Sequence, residues 1–430
     1  LFIDDFEKYV NFSHLFKKFS SDEALQIIGV TTPYAYQKFI FNNDKIGRLF
    51  EKVNVYEVNK KDALEILMES SHYFEKYHSV IIPYETLVTV IEKSDFYLTY
   101  IPFPEKAIDL LDATCVLCRS ESKVLVLPDM VNSVLTEKTN VPTLVTSEIK
   151  EKLINMEQQL KKSIIQQDEA VKKLATAVRR SFLLIGKRKK PLASFLFLGP
   201  TGVGKTETAK VIAKIFFGNS HLIRFDMSLF QNKSDIGRLI GDQTFSDPGL
   251  LSVAIRENPY GVLLLDEIEK ADRDLVNIFL TVIDEGYFTD GSGRRVDCKN
   301  LLIIATSNAG ADKIYKDESL DLTDYLVENK FFTPEFLNRF DGIIRFNELT
   351  HDSLHQVAEK MIAKISQDVQ TLYKVKLSVS KSTVDRLVAE GYDKRFGARN
   401  MERIIRDEIE DVVSRDILSD KIKPGDELNL

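Results

Sequence analysis

The run Gly199-Pro200-Thr201-Gly202-Val203-Gly204-Lys205-Thr206 constrains this chain more than any other feature of its 430 residues. It satisfies G-x-x-x-x-G-K-[ST], a loop whose glycines let backbone N–H groups wrap phosphate oxygens. Its surroundings carry as much weight as the pattern. The apolar run Ser194–Leu198 precedes it, and a helical pattern, Lys205–Phe217, follows. Strand, loop and helix in that order put a phosphate at a helix N-terminus, where partial positive charge reinforces the amides. Lys205 is then expected to reach the β- and γ-phosphates of a nucleotide, and Thr206 to ligate Mg²⁺.

Two further apolar runs, Val262–Leu265 and Leu301–Ile304, read as buried strands, each ending in small, polar or acidic residues. Helical patterns separate them, so the expected fold is α/β, a parallel sheet flanked by helices. Ligands of such sheets bind at the carboxyl ends of the strands. Asp266 and Glu267 stand at one of those ends, Asp266 as a metal ligand and Glu267 as the group that polarises an attacking water. The last 80 or so residues change character. Asp352–Ile365 reads as a helix, and Met401, Ile404, Ile405, Ile409, Val412, Val413 and Ile417 recur at helical spacing, which predicts a small helical domain. The first 135 or so residues repeat the plan more weakly, with a strand at Ile27–Val30 and helices at Lys61–Glu75, Tyr84–Lys93 and Lys106–Cys118. Ile149, Leu153, Met156 and Leu160 form a helical stripe inside a connector at Thr136–Lys162.

Composition removes several classes of function. No apolar run approaches the ~20 residues of a membrane span, and no basic-then-apolar signal peptide is visible at Leu1-Phe2-Ile3-Asp4-Asp5. Three cysteines fit a reducing, cytoplasmic setting better than a disulfide scaffold. Cys115 and Cys118 form a C-x-x-C pair, but no second pair completes a zinc site, so they are expected on a helix as small apolar residues. A net charge of −7 disfavours nucleic acid as a partner, and Lys187-Arg188-Lys189-Lys190 reads as a solvated loop.

Together these residues resemble the Clp family of AAA+ ATPases, and in particular the second of its two nucleotide-binding modules. Glu267-Ile268-Glu269-Lys270-Ala271 is similar to the sequence after the family's acidic pair, and Thr289–Asp297 to its loop before the next strand. Thr306-Ser307-Asn308-Ala309-Gly310 resembles the first sensor, with Asn308 near the γ-phosphate. Thr333–Phe340 resembles the arginine-finger segment, with Arg339 completing a neighbour's site. Phe396-Gly397-Ala398-Arg399 resembles the second sensor, with Arg399 reaching the nucleotide from the small domain. Ile164-Ile165-Gln166-Gln167-Asp168 resembles the adenine-side entry, with Ile164 and Ile165 against the base and Gln166 where the family has Gly. The first 135 or so residues resemble the rear of the first module: Leu1–Asp5 its acidic strand, Gly29-Val30-Thr31-Thr32 its sensor, Gly47–Phe50 an arginine pair reduced to Arg48, and Phe103–Leu110 the start of its small domain. The chain is thus expected to begin inside that module.

The resemblance implies a division into 1–55 (first large subdomain), 56–135 (first small subdomain), 136–162 (connector), 163–348 (second P-loop ATPase domain) and 349–430 (second small subdomain). It implies ATP and Mg²⁺ as cofactors, a homo-hexameric ring, and an ATP-driven unfoldase or remodelling chaperone that pulls unfolded or aggregated protein through its pore. Three family features are missing, one of them the middle coiled coil of the disaggregase branch, absent between Cys118 and Leu160. The pore loop after Gly237-Arg238-Leu239-Ile240-Gly241 lacks Gly-Tyr-Val-Gly and offers Phe245 as its aromatic, and Ala311–Lys330 lacks the tripeptide that docks the Clp peptidase. An ATP-binding structural or regulatory ring subunit, a subunit delivering substrates to a peptidase, and a nucleic-acid motor are the alternatives.

Overall fold

The computed structural model describes residues 1–12, 26–32, 35–41, 43, 48–98, 101–139, 147–182, 190–218, 221–242, 247–311, 322–391, 397–419, 421–422 and 425–430. Phe245, Phe396 and Lys187-Arg188-Lys189 lie outside the described residues. The chain divides into two compact units, 1–128 with 241–248 and 289–295, and the remainder.

In the first unit, β1 (Phe2–Ile3) pairs in parallel with β2 (Ile28–Gly29), Phe2 opposite Ile28. Three helices follow: α1 (Lys60–His78), α2 (Tyr84–Tyr97) and α3 (Glu105–Ser120). Each runs a few residues past the helix expected from its apolar spacing, because caps and half-exposed turns extend it. Asn59 caps α1, its carbonyl oxygen accepting from the Lys61 and Asp62 amides. The helices bury Leu67, Val90, Leu110 and Leu111 against one another. Cys115 and Cys118 lie wholly inside this core as free thiols, and burial pushes the Cys115 thiol up to about 12.

Two more helices, α4 (Pro128–Thr139) and α5 (Ser147–Ser163), precede the sheet. The stripe Ile149, Leu153, Met156 and Leu160 is buried, and α5 packs on α6 (Asp168–Phe182) and α7 (Lys205–Phe216). Much of the expected connector is therefore docked helix, as four buried apolar residues at i, i+4, i+7 and i+11 require.

The second unit is built on a five-stranded parallel sheet with the order β4-β5-β8-β3-β9. Its strands are β3 (Ala193–Leu198), β4 (Leu222–Asp226), β5 (Gly261–Asp266), β8 (Leu301–Ser307) and β9 (Gly342–Arg345); a short pair, β6 (Tyr287–Thr289) and β7 (Arg295–Asp297), precedes β8. The three expected strands are the three central ones, and every residue in them is buried. One face carries Leu196, Leu198, Leu263, Leu265, Ile303 and Ala305 under α8 (Lys233–Ile240), α9 (Leu250–Glu257), α10 (Arg273–Glu285) and α12 (Pro334–Arg339), which follows α11 (Leu322–Glu328). On the other face α7 packs on β5 and β8, and α6 on β3 and β9. The order puts the phosphate-loop strand β3 beside β8, and β8 beside β5, so three strand ends converge on one edge.

After β9 the chain forms α13 (His351–Tyr373), β10 (Lys376–Ser378), α14 (Lys381–Gly391), α15 (Ala398–Ile405), α16 (Asp411–Leu418) and β11 (Glu427–Asn429), which pairs in parallel with β10. These elements share a core of their own, including Leu354, Leu387, Met401 and Ile405. A wider π turn, Arg406–Glu410, joins α15 to α16 where a single regular helix is expected. The buried residues Met401, Ile405, Ile409 and Val413 explain it. Steps of four drift about 40° each around an α-helix, and one wider turn brings the stripe back to the core.

Candidate nucleotide site

A cavity of about 710 Å³ opens at the carboxyl edge of the sheet. Its lining contains every residue of the loop from Pro200 to Thr206, together with Ile164, Ile165, Asp266, Glu267, Asn308 and Arg399. The fold thus brings residues singled out in the sequence to one place from five separate segments. Gly199 lies beneath the loop. With φ near +150°, a Cβ there would sit 2.5 Å from the Phe346 carbonyl oxygen, so no side chain fits between β3 and the chain leaving β9.

Helix α7 begins at Lys205 and has no side-chain cap, so its first amides stand open at the cavity. The Lys205 ammonium donates to the carbonyl oxygens of Gly199 and Pro200 and to Asn308 Oδ1, the last at 2.7 Å. Burial pushes its pKa down to about 8, against the opposing pull of Glu269 and Asp266, while Arg399 pushes the same way as burial. A desolvated cation whose hydrogen bonds all go to neutral oxygens, beside open amides, is a device for taking up an anion.

Asp266, at the tip of β5, is held on three sides. Thr306 donates to Oδ1, Arg224 Nη2 donates to Oδ2 at 2.7 Å, and Thr206 Oγ1 stands 3.5 and 3.4 Å from the two oxygens. The last two distances are long for a hydroxyl–carboxylate bond. An oxygen pair so spaced suits a hard divalent cation between them, and the residues present fit Mg²⁺. Glu267 follows in the left-handed region, φ near +58°, with its amide donating to Thr306 Oγ1 at 3.1 Å and its carboxylate paired with Lys270. The same turn recurs in the first unit. Asp5 follows Asp4 with φ near +48° and pairs with Lys8 three residues on, as Glu267 does with Lys270. Thr32 there accepts from the Ala35 amide through its hydroxyl, and Arg48 lies in a turn.

Apolar side chains also line the cavity, among them Ile164, Ile165, Leu349, Val357 and Met361. Gln166 takes φ near +63°, which accounts physically for a glycine at that place in the family. Its side chain compensates, donating to the Glu348 carbonyl at 3.0 Å and accepting from the Thr350 amide at 2.7 Å. Gln167 bonds the Asn347 amide and carbonyl in the same manner, and Lys360 donates to the carbonyls of Lys162 and Ser163. Gly397 touches the loop itself, with Arg399 two residues on.

Besides Gly199, the expected residue outside the lining is Arg339. It lies at the end of α12, outside the cavity lining, and pairs with Asp284, which also accepts from Lys190 at 3.0 Å. Arg224, Glu269, Gln167 and Lys360 were not found from sequence. Glu269 Oε1 accepts from the Asn308 amide at 3.1 Å.

Three family models match. They are an AAA domain of the Cdc48 subfamily over residues 190–343, the C-terminal, D2-small domain of ClpB protein over 349–430, and an AAA lid domain over 59–181. The solved closed state of Hsp104 with ATPγS and FITC casein is 31% identical, covers 100% of this chain and 77% of that one, and superposes with a TM-score of 0.83. The chain belongs to the Clp family of AAA+ ATPases. Among its Clp relatives are the ATP-dependent Clp protease ATP-binding subunit ClpA homolog of Pyropia yezoensis, 31% identical over 98% of this chain, and ClpL of Staphylococcus aureus (strain USA300), 33% identical over 94%. The Hsp104:casein complex of S. cerevisiae in its extended conformation matches at 32% identity, covers 99% of this chain and 77% of that one, and gives a TM-score of 0.82. The chain spans 62% and 65% of the length of those two Clp relatives. Among the described residues, no helix of this Clp chain is long and apolar enough to cross a membrane.

Proposed function

We propose that the chain binds and hydrolyses ATP and uses the energy to unfold or remodel protein, as part of a ring of identical subunits, six by the family's habit. The observation that carries this reading is the convergence of Lys205, Thr206, Asp266, Glu267, Asn308 and Arg399 on one cavity that apolar side chains also line. In this reading Lys205 and the open amides of α7 hold the β- and γ-phosphates, and Ile164 and Ile165 flank the base. Thr206 and Asp266 would hold Mg²⁺, which would supply charge neutralisation at the phosphate oxygens. Glu267 orients the attacking water once Lys270 is displaced, Asn308 and Arg399 contact the transferred phosphoryl group, and Arg339 serves the neighbour's cavity. Catalysis by positioning and charge in this way is the usual route for phosphoryl transfer.

The proposal extends to organisation. The divisions 1–55, 56–135, 136–162, 163–348 and 349–430 are retained as subdomains, with 349–430 as a lid that Arg399 couples to the nucleotide. Hsp104 has been solved with casein, a protein substrate, and this chain is proposed to take unfolded protein likewise. Phe245 is proposed as the aromatic that grips it.

The experiment is ATP turnover and unfolding of a fluorescent model protein by the chain and by Glu267→Gln. The expected result is turnover that unfolded protein stimulates, with the variant still binding ATP but turning over at least ~100-fold more slowly. ATP-dependent assembly without turnover would favour a structural ring subunit, and stimulation by DNA or RNA would replace the proposal with a nucleic-acid motor.

A further inference from the structure

Arg224 has no part in the reaction outlined above, yet it lines the cavity and is ion-paired with Asp266. Its Nη2 lies 2.7 Å from Asp266 Oδ2. Asp266 is buried, its side chain 6% exposed, whereas Arg224 is 46% exposed and lines the cavity. Strand pairing sets this up. Asp226 stands opposite Asp266 and Arg224 opposite Leu264, so the arginine reaches forward along the sheet to the acid at the next strand's tip.

A carboxylate this buried needs a counter-charge in every state the molecule occupies. When a divalent cation sits between Thr206 and Asp266, the cation supplies it. In the structure the guanidinium does, on one of the two oxygens that stand about Thr206. Arginine and metal therefore compete for one carboxylate, and the arginine's exposure leaves it free to move aside. We propose that Arg224 is a stand-in for the metal. It pairs with Asp266 while no divalent cation is bound, keeps that carboxylate from repelling an incoming triphosphate, and yields it when the cation arrives. This rests on the reading of the cavity as a nucleotide site.

The test is binding of a fluorescent, non-hydrolysable ATP analogue to the chain, once in excess chelator and once in millimolar Mg²⁺. Arg224→Gln should weaken metal-free binding by on the order of tenfold, since one unneutralised charge is left near the phosphates, and weaken binding in Mg²⁺ far less. In an Asp266→Asn background the same substitution should change metal-free binding by less than about twofold, because the charge it served is gone. Arg224→Lys, which keeps the charge, should restore most of the metal-free affinity and guards against a variant that fails to fold. Equal losses with and without Mg²⁺ would make Arg224 a phosphate ligand and overturn the proposal. No loss in either condition would overturn it as well, leaving an incidental surface pair. If the unsubstituted chain binds nothing in either condition, the nucleotide site itself falls and the inference with it.

Discussion

Gly397 offers a sharp perturbation of the coupling between the small domain and the phosphate loop. It caps α15 with φ 55° and ψ −138°, a region almost closed to residues with a side chain. A Cβ built there would lie 2.3 Å from the Thr201 carbonyl oxygen and 3.2 Å from Gly202 Cα. Since real Cβ contacts essentially never fall under 3.0 Å, Gly397→Ala must drive α15 and the loop apart by at least about 0.7 Å. The obstacle is backbone on both sides, so no side chain can swing away to absorb the shift. The backbone strain alone costs about 1–3 kcal/mol. The displacement would also carry Arg399 away from its proposed place at the phosphates, and misplacement of about 1 Å in such a site costs on the order of 100-fold in rate. The expected outcome is a lower melting temperature together with a 10- to 100-fold fall in single-turnover hydrolysis. Arg399→Ala is the control, expected to match the rate loss without the thermal one. Unchanged hydrolysis and melting in Gly397→Ala would refute the claim that this glycine is dictated by its contact with the loop.

The Lys205 pKa of about 8 makes two effects of pH predictable. Nucleotide affinity should hold up to about pH 8 and then fall toward tenfold per unit as the free site loses its cation; affinity flat to pH 9.5 would contradict this. The unfolded chain keeps this lysine charged to about 10.5, so between 8 and 10.5 it binds more protons than the folded one, and the residue's contribution to stability rises with pH across that window. Urea titrations of the chain and of Lys205→Met would measure it. Gln166→Ala should cost about 1–2 kcal/mol for two lost hydrogen bonds, and Gln166→Gly about 1 kcal/mol less than that, because glycine relieves the positive φ; equal costs in urea denaturation would remove the backbone argument.

What was legible in the sequence follows the distance over which each feature is encoded. The phosphate loop is local, so its eight residues announce it. Strands β3, β5 and β8 are buried on both faces and read as unbroken apolar runs, whereas Arg224 and Asp226 in β4 and Arg345 in β9 break that pattern at the edges. Arg224 could have been noticed as a charge two residues before the acid ending an alternating run, but its partner is fixed only by strand pairing. Gln166 stood out as a departure from glycine. That its amide bonds to residues more than 180 positions away depends on the fold. The π turn was in plain sight as a spacing of four repeated three times, and a template with a fixed helical period passes over it.

Asp284 binds two cations, Lys190 and Arg339. If Arg339 serves a neighbouring chain's cavity as proposed, its departure would ordinarily leave a half-buried acid behind, and that orphaned charge would oppose the crossing. Here the acid keeps its lysine. In the proposed role, presenting Arg339 would exchange one anion for another with the home acid still neutralised, and dissolved ions that screen the incoming pair would weaken such a contact.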